Sequence, residues 1–330
     1  ILSSSGMTFQ NLNMPVDNGA TAVTVLDSTN VVLNDLKIHG TAATDVGLGV
    51  QIGTSSNVTV ENSDITRTGS GIGFSQSDHI NLSNNNIHDI ETDGIIGSGS
   101  MHVLVQGNHF DTFHPLPGDH PDAIQFFGGP NGSGDDVTID NNVIVRGSGE
   151  VYQGIFIENT NHVTIDGNAM AGTMFNGISV SAADTAVVSN NFVQGFTDMG
   201  SRIIVRGQSS NVTVTHNDAQ SVVEYDDNGL PNPNYVATDN TVIGPANVSD
   251  LSALNTWLSQ HAEAVVTPVS GVVNPVANPN VTPVAPNLPN TGPVDVNTQV
   301  ANLTASLEQS IHEMINKQIA SSSSYGWIIL

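Results

Sequence analysis

The chain has 330 residues and a formal net charge of −25, with 31 acidic side chains against 6 basic ones. No basic cluster is present, so nucleic acid is excluded as a partner, because phosphate binding needs a Lys/Arg footprint. The absence of cysteine excludes disulfides and thiol chemistry, and no apolar run is long enough to span a membrane.

From the N-terminus one phrase repeats. Asn57-Val-Thr-Val-Glu-Asn, His79-Ile-Asn-Leu-Ser-Asn-Asn, His102-Val-Leu-Val-Gln-Gly-Asn, Asp136-Val-Thr-Ile-Asp-Asn-Asn, His162-Val-Thr-Ile-Asp-Gly-Asn and Asn211-Val-Thr-Val-Thr-His-Asn are copies, and fainter ones begin at Gly6, Asn30 and Thr185. The starts at 30, 57, 79, 102, 136, 162, 185 and 211 lie 27, 22, 23, 34, 26, 23 and 26 residues apart. Short strands at a period near two dozen residues predict a solenoid, whose turns bury apolar faces only by stacking.

Each unit carries a second strand-like phrase: Gly71-Ile-Gly-Phe, Gly94-Ile-Ile-Gly, Ala123-Ile-Gln-Phe, Gly154-Ile-Phe-Ile, Gly177-Ile-Ser-Val and Arg202-Ile-Ile-Val. Alternation at period two puts Ile72/Phe74, Ile95/Gly97, Ile124/Phe126, Ile155/Ile157, Ile178/Val180 and Ile203/Val205 on one inward face. Asn85, Asn108, Asn142, Asn168, Asn191 and Asn217 each fall six residues after a phrase start. Asn tolerates left-handed backbone and can bond copies above and below, so this column reads as an internal ladder at a tight turn. His79, His102 and His162 share the first column with Asn and Asp, which makes them scaffold.

The pattern ends near residue 245. Residues 246–264 predict a short helix, started at Ser249-Asp250 and striped by Leu251, Leu254 and Leu258, that would cap the open end. Residues 265–297 form a Pro-rich extended linker. Residues 298–330 hold an amphipathic helix with Val300, Leu303, Leu307, Ile311, Met314 and Ile315 on one face, followed by an apolar tail. That helix either docks on the solenoid or joins copies of the chain as a homo-oligomer. The chain starts at Ile1 rather than Met, which leaves room for a leader or another domain ahead of it.

The repeat, its Asn column and its paired strand families resemble the right-handed parallel β-helix of the pectate-lyase-like superfamily, over roughly residues 1–245. That group includes polysaccharide lyases, alginate C5-epimerases, some glycoside hydrolases and phage tailspikes. The resemblance implies an all-β solenoid; β-sandwich and propeller architectures fit the spacing less well. It does not fix a reaction, since one fold hosts many. It implies an extracellular, cell-surface or phage-virion setting, with which the Ser/Thr/Asn/Gly-rich, Lys-poor composition agrees.

The longest spacing, from 102 to 136, holds an insertion at residues 111–122 with two His and three Asp, and a second excess at 128–136. Loops inserted at one level of a solenoid usually line a binding face. His120 and Asp122, held between a proline and a strand start, are candidate catalytic groups, with Asp119 beside them. Beyond the insertion the outward positions change from small residues to Gln125, Phe127, Phe156 and Glu158, then Ser179 and Ser181, then Arg202 and Arg206, with Tyr152 and Gln153 just ahead of their strand. Three of the six cations, Arg146, Arg202 and Arg206, lie in these turns. Arg202 and Arg206 share a strand face, suited to bidentate carboxylate or sulfate recognition; the alternative is an ion pair with Glu158 or Asp198.

The expected ligand is an acidic polysaccharide in a groove along the strands. Phe127, Phe156 and Tyr152 would stack on sugars, while Gln125, Gln153, His114, Arg146, Glu158 and Arg206 would contact hydroxyls and carboxylates. In β-elimination, Arg202 or Ca²⁺ neutralises a uronate carboxylate and His120 or Tyr152 exchanges the adjacent proton. Asp93, Asp119 and Asp122 are the candidate Ca²⁺ ligands. C5-epimerisation shares the first step, but the epimerases' Asp-Pro-His order is reversed here in His120-Pro121-Asp122, so no roles transfer. Hydrolysis would use a carboxyl pair among Asp119, Asp122 and Glu158. A non-catalytic glycan-binding fibre is the reading from another class.

Overall fold

The computed structural model describes residues 1–17, 19–41, 47–128, 134–225 and 230–261. Each repeat lays one strand into each of three parallel sheets. Sheet I collects the Val-x-Val phrases in ten strands, from Ser5–Gln10 to Val236–Thr238. Sheet II has ten short strands, from Asn13–Val16 to Thr241–Val242, and sheet III has nine, from Val23–Leu26 to Val222–Glu224. Within each sheet a strand pairs with its counterparts one turn back and one turn on, which is the expected parallel β-helix.

The inward register is the one the alternation predicts. Ile72, Ile95, Ile124, Ile155, Ile178 and Ile203 stand in line across sheet III, and all are fully buried. Each such side chain contributes about 1.5–3 kcal/mol of burial. The neighbouring column runs Phe74, Gly97, Phe126. The two phenyl rings meet edge to face at 5.3 Å across the glycine, and a Cβ at Gly97 would lie 2.3 Å from Phe74 Cζ. Gly97 is therefore the gap that admits two aromatic rings into one stack.

The six ladder asparagines are at most 2% exposed. The Asn108 amide donates to Asn142 Oδ1 at 3.0 Å and to Leu82 O at 2.9 Å, and its backbone N–H donates to the same Oδ1 at 2.9 Å. The pattern repeats at Asn142, Asn168 and Asn191 and runs out to Asn240. The left-handed residue at this corner is the one before the ladder position: Asn84, Asn141, Asn190 and His216 at φ 53–55°, and Gly107 and Gly167. The ladder amide thus keeps ordinary backbone, and its neighbour makes the turn.

The single described helix, α1, spans Ser252–His261. Asp250 Oδ1 accepts the Ser252 N–H at 3.0 Å and caps it. It lies on the outer face of sheet II rather than over the open end, with Leu254 and Trp257 buried against Ala169, Ala171, Phe192 and Phe196. The reason is a change in sheet II's outward residues. Earlier turns present Asn86, His88, His109 and Asp111; the later ones present Val143, Val145, Ala169 and Ala171. The Pro-rich linker, the amphipathic helix and the apolar tail lie outside the described residues. Among the described residues no helix is long and apolar enough to cross a membrane.

Candidate active site

The outer face of sheet III gathers most of the polar residues singled out beyond the insertion. Their order follows from parallel register. Asp122 pairs with Gln153, and Asn176 with Arg202. Asp93 stands one turn below Asp122, whose backbone N–H donates to Asp93 Oδ1 at 2.9 Å. Asn176 donates to Gln153 Oε1 at 2.6 Å. Asp93, Asp122, Gln153, Asn176 and Arg202 therefore form one column along the solenoid. A central column runs Gln125, Phe156, Ser179, Ile204, and a third runs Phe127, Glu158, Ser181, Arg206.

Burial sets the electrostatics. Asp122 has no exposed surface. Its Oδ2 accepts from Gln125 Nε2 at 3.0 Å, while its Oδ1 has no hydrogen-bond partner. Burial drives its pKa well above the carboxylate range, the charge of Asp93 adds to the rise, and Arg206 opposes it. Asp93 keeps a partly open edge. Desolvation of its carboxyl raises its pKa to about 7, the Asp122 N–H pulls the other way, and the charge of Asp119 raises it further. Two adjacent carboxyls thus hold protons near neutrality, as expected where desolvation and like charge coincide.

Arg202 and Arg206 are half-buried, and the Nε of each is buried without a partner. Desolvation lowers the Arg202 pKa, and the charge of Arg206 lowers it further. The Arg206 guanidinium sits 5.5 Å from the Phe156 ring centroid, and Phe156 meets Phe127 at 6.0 Å. Burial raises the Glu158 pKa, and Arg206 pulls it back. Neither arginine makes an ion pair with a described residue: Asp198, the alternative partner, bonds Arg146 instead at 2.9 and 3.1 Å.

Three residues expected at this face are elsewhere. Tyr152 is fully buried in the core, stacked on Phe113 at 4.1 Å, and its hydroxyl donates toward Val145 O at 2.7 Å with Phe110 O at 3.3 Å. Burial pushes the phenol pKa up. It cannot exchange protons with a sugar or stack on one. Arg146 is tied to Asp198 and lies over Phe196 at 4.6 Å, beside the helix-covered part of sheet II, where it is scaffold. His114 is bound through its N–H to Ile90 O and through Nε2 to Asp89, on the sheet II side.

His120 and Asp119 are exposed on the inserted loop. Asp119 accepts the Leu116 N–H at 3.1 Å, which caps its own loop. The three carboxylates proposed for Ca²⁺, on Asp93, Asp119 and Asp122, do not gather within 4.8 Å; among the described residues only Asp78, His79 and His102 do so. Asn176 and Ser179 carried no functional expectation, yet both point an unpartnered buried oxygen at this face. Their alignment with Gln153 and Phe156 is the signal that would have found them.

A family profile described as the right handed beta helix region matches residues 1–114, the first third of the chain. This is a right-handed parallel β-helix. Solved structures of the same fold are distant. A surface adhesin of Streptococcus pneumoniae, PfbA, shares 17% identity at TM-score 0.49, covering 69% of this chain and 64% of its own. An alginate lyase from Paenibacillus sp. shares 14% at TM-score 0.39, covering 73% and 97%. The mannuronan C-5 epimerase A-module of Azotobacter vinelandii shares 15% at TM-score 0.44, covering 71% and 80%. This β-helix thus spans under two thirds of the adhesin's length. No curated protein sequence matches it.

Proposed function

We propose that the outer face of sheet III binds an acidic, uronate-containing polysaccharide and cleaves it by β-elimination. The observation that carries this reading is one face that holds a protonatable carboxyl pair, Asp93 and Asp122, with Arg206 within electrostatic reach of Asp122 and Arg202 further along the same column, neither arginine having an ion-pair partner among the described residues. Arg206, whose charge reaches Asp122, neutralises the carboxylate of the uronate being cleaved, which acidifies the neighbouring C–H, while Arg202, further along the column, holds the carboxylate of a neighbouring sugar. Asp93, with its open edge and a pKa of about 7, takes that proton when ionised. The glycosidic C–O bond then breaks, its oxygen takes a proton from water, and a C=C bond remains in the sugar. Burial and the charge of Asp119 hold the Asp93 pKa up, against the Asp122 N–H that lowers it. His120, exposed on the loop, is the second candidate for the proton. Phe127 beside Phe156, with Gln125, Gln153 and Glu158, supplies stacking and hydroxyl contacts. The same reading sets the protein outside the cell or at its surface, where such polymers are met.

Hydrolysis is the second reading, favoured by the half-buried Asp93, whose pKa of about 7 suits a general acid. A panel of uronate polysaccharides decides between them. β-Elimination yields ultraviolet absorbance from unsaturated ends; hydrolysis yields reducing ends without it; epimerisation changes stereochemistry with neither. Binding with none of the three makes the chain an adhesive module. Arg206→Ala is expected to lower cleavage at least ~100-fold, and unchanged cleavage in that variant would sink the proposal. Activity that survives EDTA supports an arginine as the neutralising charge; loss on EDTA and return with Ca²⁺ would assign that task to calcium.

A further inference from the structure

Away from sheet III, the first column of the repeated phrase carries a second constellation. The column is a rim ladder: every residue in it, Asn30, Asn57, His79, His102, Asp136, His162, Thr185 and Asn211, has left-handed backbone with φ between 47° and 62°. A shared conformation in successive turns aims the side chains in one direction. At Asn30 and Asn57 the result is an amide rung, with Asn57 donating to Asn30 Oδ1 at 3.3 Å. At His79 and His102 it is a pair of stacked imidazoles, 4.5 Å between centroids and 28° between planes.

Both rings turn Nδ1 to the same carboxylate. His79 Nδ1 lies 3.0 Å from Asp78 Oδ2, and His102 Nδ1 lies 2.6 Å from Asp78 Oδ1. One ligand atom from each of the three residues falls within 4.8 Å of the others. Asp136, next in the column, brings Oδ2 to 4.0 Å from His102 Nε2. All four side chains are about half exposed, between 41% and 62%, so an ion reaches the site without local opening.

We propose that Asp78, His79 and His102 bind a divalent transition-metal ion of borderline softness, zinc foremost, clamping two successive turns of the solenoid. Two imidazole nitrogens and one carboxylate are a donor set that zinc accepts at about 2.0–2.2 Å per bond, with nickel and copper as competitors. Calcium and magnesium prefer all-oxygen shells and are disfavoured. Three protein ligands leave a fourth position to water. Nδ1 ligation takes those nitrogens away from Asp78: a neutral imidazole moves its proton to Nε2, and a protonated one releases a proton to solvent. The site lies on sheet I and is independent of the polysaccharide reading.

The test uses the full chain without a histidine tag, stripped with chelator and titrated calorimetrically with ZnCl₂, NiCl₂ and CaCl₂. The control is the double variant His79→Asn/His102→Asn. Asn is the residue this column holds at positions 30, 57 and 211, so the left-handed backbone and the fold are kept. The expected result is one zinc site per chain that weakens at least tenfold in the double variant, with calcium heat absent in both. Zinc should also raise the Tm of the parent and leave that of the variant unmoved. Zinc binding of equal stoichiometry and affinity in both proteins, or none in the parent, overturns the proposal.

Discussion

The inner Asn ladder and the outer face of sheet III are both buried polar columns running along the same turns, and they end in opposite states. In the ladder, each amide of Asn85, Asn108 and Asn142 donates twice and each inter-turn oxygen accepts. On sheet III, Asp122 Oδ1, Asn176 Oδ1, Ser179 Oγ, Arg202 Nε and Arg206 Nε are buried without partners. A buried polar atom left unpaired costs about 1–3 kcal/mol, so a face that carries five of them is not optimised for stability. Satisfied columns hold the β-helix together; on the proposed reading, the unsatisfied face is where the polysaccharide would bind.

The comparison breaks first if the ladder proves dispensable. Asn142→Ala strips the acceptor from Asn108 N and Nδ2 and the donor from Val105 O. The expected loss is about 3–5 kcal/mol in urea unfolding, and a loss below about 1 kcal/mol would mean the column is filler. Next comes a contrast of arginines. Asp198→Ala leaves the buried Arg146 without its ion-pair partner and should lower the urea midpoint. Arg202→Ala removes a desolvated cation with no described ion-pair partner and should stay within about 0.5 kcal/mol of the parent. Equal losses in the two variants would erase the distinction between scaffold and site.

The fold was legible because it is written in a repeat. The Ile column, the Asn column and the turn at the insertion all follow from period two and from the spacing of the phrases. What failed was side-chain direction at the corners between sheets, where period two does not apply. Tyr152 precedes Gln153 by one residue; the corner sends Gln153 outward and Tyr152 into the core beside Phe113. Arg146 and His114 failed for another reason: charge and position in the chain do not say which of three sheets a residue follows. Asp93 was legible as a carboxylate beside Asp122, but its raised pKa depends on burial, which no spacing states.

That pKa supplies a sharper test of the unsatisfied face. Asp93 titrates near 3.8 when unfolded and near 7 when folded. Below about pH 4 both states are protonated, and the group does not oppose folding. Between pH 4 and 7 the unfolded chain ionises while the folded one cannot, so stability falls as pH rises and levels off above 7. Lowered carboxylates such as Asp89 and Asp198 act in the opposite sense, so the effect is read as a difference. Asp93→Asn should gain about 1–2 kcal/mol on the parent between pH 4 and 7.5, allowing for the open edge. Urea midpoints at both pH values measure it. No gain would mean that water reaches the carboxyl and that the pair is not desolvated.

The smallest expected effect bears on the residue whose place the sequence misread. Tyr152→Phe keeps the ring against Phe113 and removes only the hydroxyl that donates toward Val145 O. One net hydrogen bond is worth about 1 kcal/mol, and the apolar replacement fills the same volume, so the urea midpoint should move little. Glycan cleavage should not move at all, because the phenol faces the core and its raised pKa keeps it protonated. If cleavage instead collapses while the midpoint holds, Tyr152 reaches substrate, and the corner ahead of Gln153 turns outward when polysaccharide binds. The acid–base role would then pass from Asp93 to the phenol, and the unpaired atoms of sheet III would be its supporting shell.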